Sequence, residues 1–413
     1  MIRHNRAVWL VLATGTVLGL GVFLYHLVAR PATVGLDYRV FHAASEAALA
    51  GRDFYAVSPA DSSFQYLYPP VTVLSFVPLA ALDGWVPGYL ALTALSLVAS
   101  ALAARVLCRH VASLGHTVPP AERVLVGAWL TVSTPAALSL VYGQTNHLAV
   151  AGLVVGLAGF LGGRDRLAGV VLALPAYLKV LPGVVGLYLL RRRAPRAIGA
   201  GLGTALALTA VGVAVFGPDL HLTYLTEVLV ARRDTAAFVG GLDPAAEYVT
   251  LRRPLSVVFP AADPALYAVG AAALLFPALA ALYWRVETHT DRVVALHGTL
   301  VVGLLVVPSL LLYAAFLAFP LVVLLYELPA GRARRLFVAG GLLTNLSVSF
   351  DGIRQLFGAV PLGAAGREWL LSLFRPVFTV GTPVLYGCLL SLAGCLVYRW
   401  TRRRATRPES TPR

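Results

Sequence analysis

Lysine is all but missing from this chain. Among 413 residues there is one, Lys179, against a combined lysine and arginine count of 33. Charge of either sign is scarce, 13% of residues, and only 19 are acidic. Set beside 58% hydrophobic residues and a mean hydropathy of +0.78, that scarcity excludes an ordinary soluble enzyme and leaves a polytopic membrane protein. Three cysteines (Cys108, Cys388, Cys395), odd in number and without a C-x-x-C pair or a histidine-rich ligand set, read as apolar packing residues. Also absent are G-x-x-x-x-G-K-[ST], G-x-S-x-G and H-E-x-x-H, which removes support for a nucleotide-fuelled pump, a serine hydrolase and a zinc protease. No D-x-D lies in the hydrophilic loops and no acidic neighbour pairs with Asp37, so neither a bound divalent metal nor another cofactor is expected.

What is present is apolar sequence in long runs. Stretches long enough to cross a bilayer, or nearly so, cover 7–29, 66–82, 86–107, 122–141, 146–163, 167–190, 197–216, 265–284, 293–308, 309–326, 336–350 and 376–398. The fold class expected is all-α: a polytopic transmembrane helical bundle of about 12 spans, with outward-facing loops carrying short helices. A single integral membrane domain is expected over 1–400, followed by a polar, disordered cytoplasmic tail at 401–413. The first run follows Arg3, His4 and Arg6 and has no A-x-A site after it, which reads as a retained span with its N-terminus inside.

The net charge of +14 comes from arginines at the ends of these runs, a pattern that suits anchoring and orientation in a lipid bilayer and not a nucleic-acid partner. Arginine in place of lysine, with abundant Ala, Gly, Val and Leu, points to a GC-rich genome and a prokaryotic cell membrane. If every run crosses, the arginines of 191–196, 285–292, 332–335 and 399–404 all fall inside, with both termini cytoplasmic, but those of 105–123 and 164–166 fall outside. In an alternative, 69–82 is a half-span and 167–190 a hairpin tipped by Lys179. The two topologies place residues 144–146 on opposite sides. Both leave the first loop, 30–65, and the large loop, 217–264, outside.

Lys179 stands among apolar residues between Pro175 and Pro182, roughly 18 Å of helix away from the arginine run that begins at Arg191. A cation at such depth costs several kcal/mol and ordinarily faces a cavity or a partner. Snorkelling, or neutralising one structural carboxylate, is the plain alternative. The first loop is the other rich segment. Asp37 follows closely on the first span; a carboxylate at a water–lipid boundary beside aromatic rings (Tyr38, and Tyr68 ahead of Pro69-Pro70) is a candidate general base, because partial desolvation raises its pKa. Equally, Asp37 fits as the N-cap of an interfacial helix over 38–50 that also carries His42. Gln144 and Asn146, in Tyr142-Gly-Gln-Thr-Asn-His, offer amides to sugar hydroxyls or phosphate, although short helix connections use the same residue types. Arg252 and Arg253 in the large loop are candidate anion ligands or simply solvated charges. Tyr313, five residues after Pro308, either lines a cavity or packs.

Taken in order, these pieces are an aspartate in the first outer loop, Gly51 ahead of Phe54-Tyr55, Y-P-P at 68–70, G-Q-x-N at 143–146, Lys179 before an arginine run, and a late proline-aromatic span. In this order the chain resembles the polyprenyl-phosphate-mannose-dependent mannosyltransferases of glycosyltransferase family 87, in the GT-C class. The similarity covers 30–200 and, more loosely, 300–325. It implies a multispanning enzyme with an extracytoplasmic site that takes a hexose, mannose above all, from a lipid-linked polyprenyl phosphate donor to a glycolipid or glycan acceptor. It also implies inversion without an obligatory metal, with the base at Asp37 and further site positions at Tyr68, Gln144, Asn146 and Lys179. One departure is plain: where the family has a tryptophan and a histidine in the late span, this chain has Leu311 and Tyr313. A different class, a secondary transporter or lipid flippase using Lys179 in a broken helix, fits the same lysine but not the aspartate-bearing loop.

Overall fold

The computed structural model describes residues 5–231, 236–361 and 363–405. Among them the regular structure is helical, no strand is formed, and the one β contact is an isolated bridge between Tyr248 and Leu310. It is an all-α polytopic membrane protein. Where the sequence suggests about a dozen crossings, five helices among the described residues are long and apolar enough to span a bilayer: Arg6–Ala29, Trp85–Ser113, Pro195–Val228, Pro264–Tyr283 and Pro383–Arg404. A sixth is obtained if a pair bent by 48°, Pro120–Val132 with Thr134–Tyr142, counts as one span. The remaining apolar runs are interrupted by 3-10 turns or are shorter helices.

Two compact units emerge. The first is drawn from Leu12–Asp234 and Leu312–Phe319. In it α1 (Arg6–Ala29, whose residues up to Val11 belong to the other unit) leads to α2 (Leu36–Leu49). A 3-10 turn, Pro70–Ser75, and the short α3 (Val77–Ala80) then precede α4 (Trp85–Ser113). Next come α5 (Pro120–Val132), α6 (Thr134–Tyr142), α7 (Asn146–Leu161) and α8 (Asp165–Leu178). After α8 follow a second 3-10 turn (Leu181–Val184), α9 (Val185–Arg191) and α10 (Pro195–Thr223). A π turn at Tyr224–Val228 passes into the stub α11 (Leu229–Ala231), so the start of the expected 217–264 loop is helical, with a kink at Gly217 (φ 79°) ahead of Pro218.

The run 167–190 does not continue as one helix, and proline explains why. Pro182 cannot supply an N–H and its ring would clash with the carbonyl four residues back, so α8 ends at Leu178 and Lys179 turns extended (φ −138°, ψ 128°). The chain then doubles back. α7 and α8 pack antiparallel through small residues, with a Cβ on Gly156 falling 2.6 Å from Leu172. Tyr188 meets Phe160 at the far end of α7 (ring centroids 6.0 Å), and a Cβ on Gly169 would fall 2.1 Å from the Ala197 carbonyl. Residues 191–197 have therefore returned to the level of the first two turns of α8. The segment is a hairpin tipped by Lys179.

The second unit is drawn from Asn5–Val11, Thr235–Leu311 and Pro320–Arg413. It holds α12 (Arg252–Val258), α13 (Pro264–Tyr283), α14 (His289–Val306), most of α15 (Ala318–Glu327), α16 (Arg332–Thr344), α17 (Phe350–Ala359), α18 (Ala364–Val380) and α19 (Pro383–Ala405). Its tightest seam is α16 against α19, where a Cβ on Gly387 would meet the Gly340 carbonyl at 2.7 Å and one on Gly394 the Ala333 carbonyl at 2.8 Å. Small residues let backbones approach where lipid offers no hydrophobic drive for helix association. α19 runs through Ala405, so 401–405 are helical where a disordered tail is expected; 406–413 lie outside the described residues.

Candidate functional site

Two glycines in left-handed conformation bring α2 and α6 together. Gly143 (φ 71°) closes α6, and Gln144 N–H donates back to the Ser139 carbonyl (2.8 Å), so Gln144 sits in a tight turn before α7. Gly35 (φ 72°) opens α2, and its N–H donates to the Val141 carbonyl (2.7 Å). Neither tolerates a Cβ: one on Gly143 would lie 2.6 Å from the Tyr38 Cβ, one on Gly35 2.6 Å from the Trp85 ring. With the start of α2 laid on the end of α6, Asp37 faces Gln144. The N-cap of α2 is Gly35, which corrects the capping alternative: Asp37 stands inside the first turn and its side chain makes no cap bond.

Gln144 Nε2 donates to Asp37 Oδ2 at 2.5 Å, and Lys179 Nζ donates to Gln144 Oε1 at 2.7 Å. Lys179 is buried, 2% exposed, with its ammonium 5.4 Å from the ring centroid of Tyr68 and 5.0 Å from that of Tyr313. A cation facing aromatic π-clouds keeps part of the stabilisation it loses with water. Five residues singled out in the sequence, Asp37, Tyr68, Gln144, Lys179 and Tyr313, thus converge within the first unit. Burial raises the Asp37 pKa, only partly offset by the Gln144 hydrogen bond and the Lys179 charge. A carboxyl so placed is a stronger base than one in water.

The floor beneath is aromatic. Phe41 stacks on Phe76 (4.4 Å), Tyr66 and Tyr68 meet edge-on (5.5 Å), and the Tyr55 hydroxyl donates to the Tyr68 carbonyl (2.7 Å), holding the Tyr-Pro-Pro turn. Tyr38 belongs to this packing. It is fully buried with its hydroxyl against Gly88, and burial pushes its pKa up to about 12. His42 lies 3.6 Å from Glu46 on the same helix and near the Tyr38 ring. Asn146 donates to Ser139 Oγ (2.8 Å) and, with His147, Ser133 and Trp129, lines a small separate cavity. Arg252 and Arg253 lie in the second unit. Arg252 Nε donates to the Val306 carbonyl (2.9 Å), while Arg253 donates to the carbonyls of Asp243, Ala246 and Phe378. Burial lowers the Arg253 pKa to about 10. These arginines hold backbone together. The residues that sequence reading missed as positioning ones are Gly35 and Ser139; Gly143 was read as part of G-Q-x-N, without its part in seating α2.

A helical membrane protein with a carboxylate, an amide and a caged ammonium in one aromatic-floored site has the equipment of a membrane-embedded transferase. Residues 66–314 match the family model described as Glycosyltransferase family 87. The chain belongs to that family, and is a membrane glycosyltransferase. Tyr68, Gln144, Asn146, Lys179 and Tyr313 fall inside the matched segment; Asp37 precedes it and is tied to it by the Gln144 hydrogen bond. No curated protein matches the chain.

Proposed function

We propose that this glycosyltransferase moves a hexose, mannose on the strength of the motif order, from a polyprenyl phosphate to a glycolipid or glycan acceptor on the extracytoplasmic side, with inversion. The observation that carries the reading is the Asp37–Gln144–Lys179 hydrogen-bonded series under two phenols. Asp37 removes the proton of the acceptor hydroxyl as its oxygen bonds to the anomeric carbon. The bond from that carbon to the phosphate oxygen breaks, and its electron pair leaves with the polyprenyl phosphate. A positioned base contributes about 10²–10⁴-fold. Lys179, held against the Tyr68 and Tyr313 rings, offers positive charge to the departing phosphate.

Orientation is supported by the arginines. Trp85 packs at Gly35, so α4 starts at the Asp37 end and its Arg105 and Arg109 lie toward the other, as do Arg164, Arg166 and the run 191–196 around the hairpin base. The positive-inside rule then puts that end in the cytoplasm and Asp37 outside.

The test is transfer from radiolabelled polyprenyl-phosphate mannose in membranes. Asp37→Asn should abolish product, by at least about 10²-fold, while donor binding persists. Full transfer by this variant would remove Asp37 as the base. Transfer by the wild type from another polyprenyl-phosphate hexose, and not from mannose, would leave the base and change the sugar.

A further inference from the structure

The middle member of the series has a chemistry of its own. An ammonium only donates, so the Gln144 oxygen must face Lys179 and its nitrogen must face Asp37. We infer that Gln144 is a positioning residue for the base: a neutral spacer that keeps Asp37 and Lys179 one side chain apart and commits Oδ2 as an acceptor, so that the proton taken from the acceptor lands on Oδ1. This rests on Asp37 acting as the base and deepens that reading. A carboxylate in direct contact with an ammonium is held ionised and is a weak base; with an amide between them, the cation is close enough to steady the developing charges without quenching basicity. The second oxygen, Oδ1, carries no hydrogen bond among the described residues, and so remains available to a substrate hydroxyl. The αL turn at Gly143 and the Ser139 carbonyl on the Gln144 N–H fix the backbone from which the spacer springs, and its amide is held at both ends by Asp37 and Lys179.

Other charged and titratable groups around α2 do not compete for this role. Arg39 pairs with Asp61 and donates to the Ala32 and Val34 carbonyls; His42 and Glu46 face one another; the Tyr38 hydroxyl abuts Gly88, and Tyr89 donates to the Leu140 carbonyl (3.0 Å). Lys179, Tyr68 and Tyr313 reach the region from the hairpin tip, the Tyr-Pro-Pro turn and the 311–317 turn.

Gln144→Glu preserves shape and discards the N–H. Two carboxyls at hydrogen-bond distance cannot both ionise; Lys179 holds the introduced one charged, and the shared proton rests on Asp37. The acid limb of kcat/KM should then move to higher pH, with about a tenfold loss at fixed pH for each unit it moves. In infrared titration of the full-length protein without substrate, the carboxylic-acid band assigned to Asp37 by its disappearance in Asp37→Asn should persist to higher pH than in the wild type. Gln144→Leu, which fills the space but makes neither bond, should shift the band upward less and guards against a misfolded Gln144→Glu. Coincident band titrations in the wild type and both variants would overturn the proposal. The infrared readout needs no turnover: if Asp37→Asn retained transfer, the base assignment would fail while the spacer would still be judged by the band.

Discussion

At Asp37 two environments compete, and the balance sets when the site works. Burial lifts its pKa, while Gln144 and Lys179 pull it down by less. Only the ionised form accepts a proton, so transfer should rise with pH through a limb above the ordinary carboxylate range. Lys179→Met keeps the length of the side chain and removes the charge that favours ionisation. Its acid limb should move to still higher pH, and its plateau rate should fall by about 10²–10³-fold, as when one donor to a developing anion is lost. A pH–rate series on both proteins checks this; a limb unmoved by Lys179→Met would mean that the lysine does not sense Asp37. The identities of these residues were legible in the sequence because each is chemically out of place: an acid beside a membrane run, amides in a short turn, one lysine among apolar side chains. Their partnership was not, since Gln144 meets a residue 107 positions away and Lys179 one 35 away. Tyr38 and His42 share the loop with Asp37, but successive helical positions point about 100° apart, so Tyr38 turns its hydroxyl to Gly88 and His42 faces Glu46.

Among elements, the readable feature was apolarity and the unreadable one was direction. A hairpin and a crossing helix are equally greasy, so 167–190 has the same composition either way; only the pair Pro175 and Pro182 hinted that Lys179 marks a break. The position of α10 depends on contacts no hydropathy profile reports. At Gly169 the backbones of α8 and α10 touch, with Ala197 O 2.1 Å from where a Cβ would be, whereas Gly203 on α10 has nothing within 4 Å. Gly169→Ala should therefore push the helices apart and cost about 1–3 kcal/mol of overpacking, lowering the thermal midpoint in detergent and, by tilting the hairpin, the transfer rate. Gly203→Ala should leave both unchanged or slightly improved, because alanine is the better helix former. Equal midpoints for the two variants would show that the α8–α10 seam does not bear on the fold.

For the molecule as a whole, charge does what sequence motifs cannot: it gives the helices a polarity. In the second unit the same gathering occurs. Arg399 reaches the Trp284 and Arg285 carbonyls, Arg402 pairs with Asp291, and Gly394 of α19 packs at Ala333, so the arginines of 285–292, 332–335 and 399–404 share one end. In the first unit the hairpin reading brings 164–166 and 191–196 to a common end, whereas a full crossing of 167–190 would set them on opposite faces. Impermeant thiol labelling distinguishes the two, since the native Cys108, Cys388 and Cys395 are buried. Single cysteines at Ser58, Thr117, Asp165 and Pro195 leave every arginine in place. Ser58→Cys should react from outside intact cells, and the other three only in inverted vesicles. Labelling of Asp165→Cys and Pro195→Cys from opposite sides would make 167–190 a true span and detach Lys179 from the outer site. Common labelling keeps the lone lysine at the tip of a hairpin that rises from the cytoplasmic face to meet Gln144, the arrangement an outward-facing base requires.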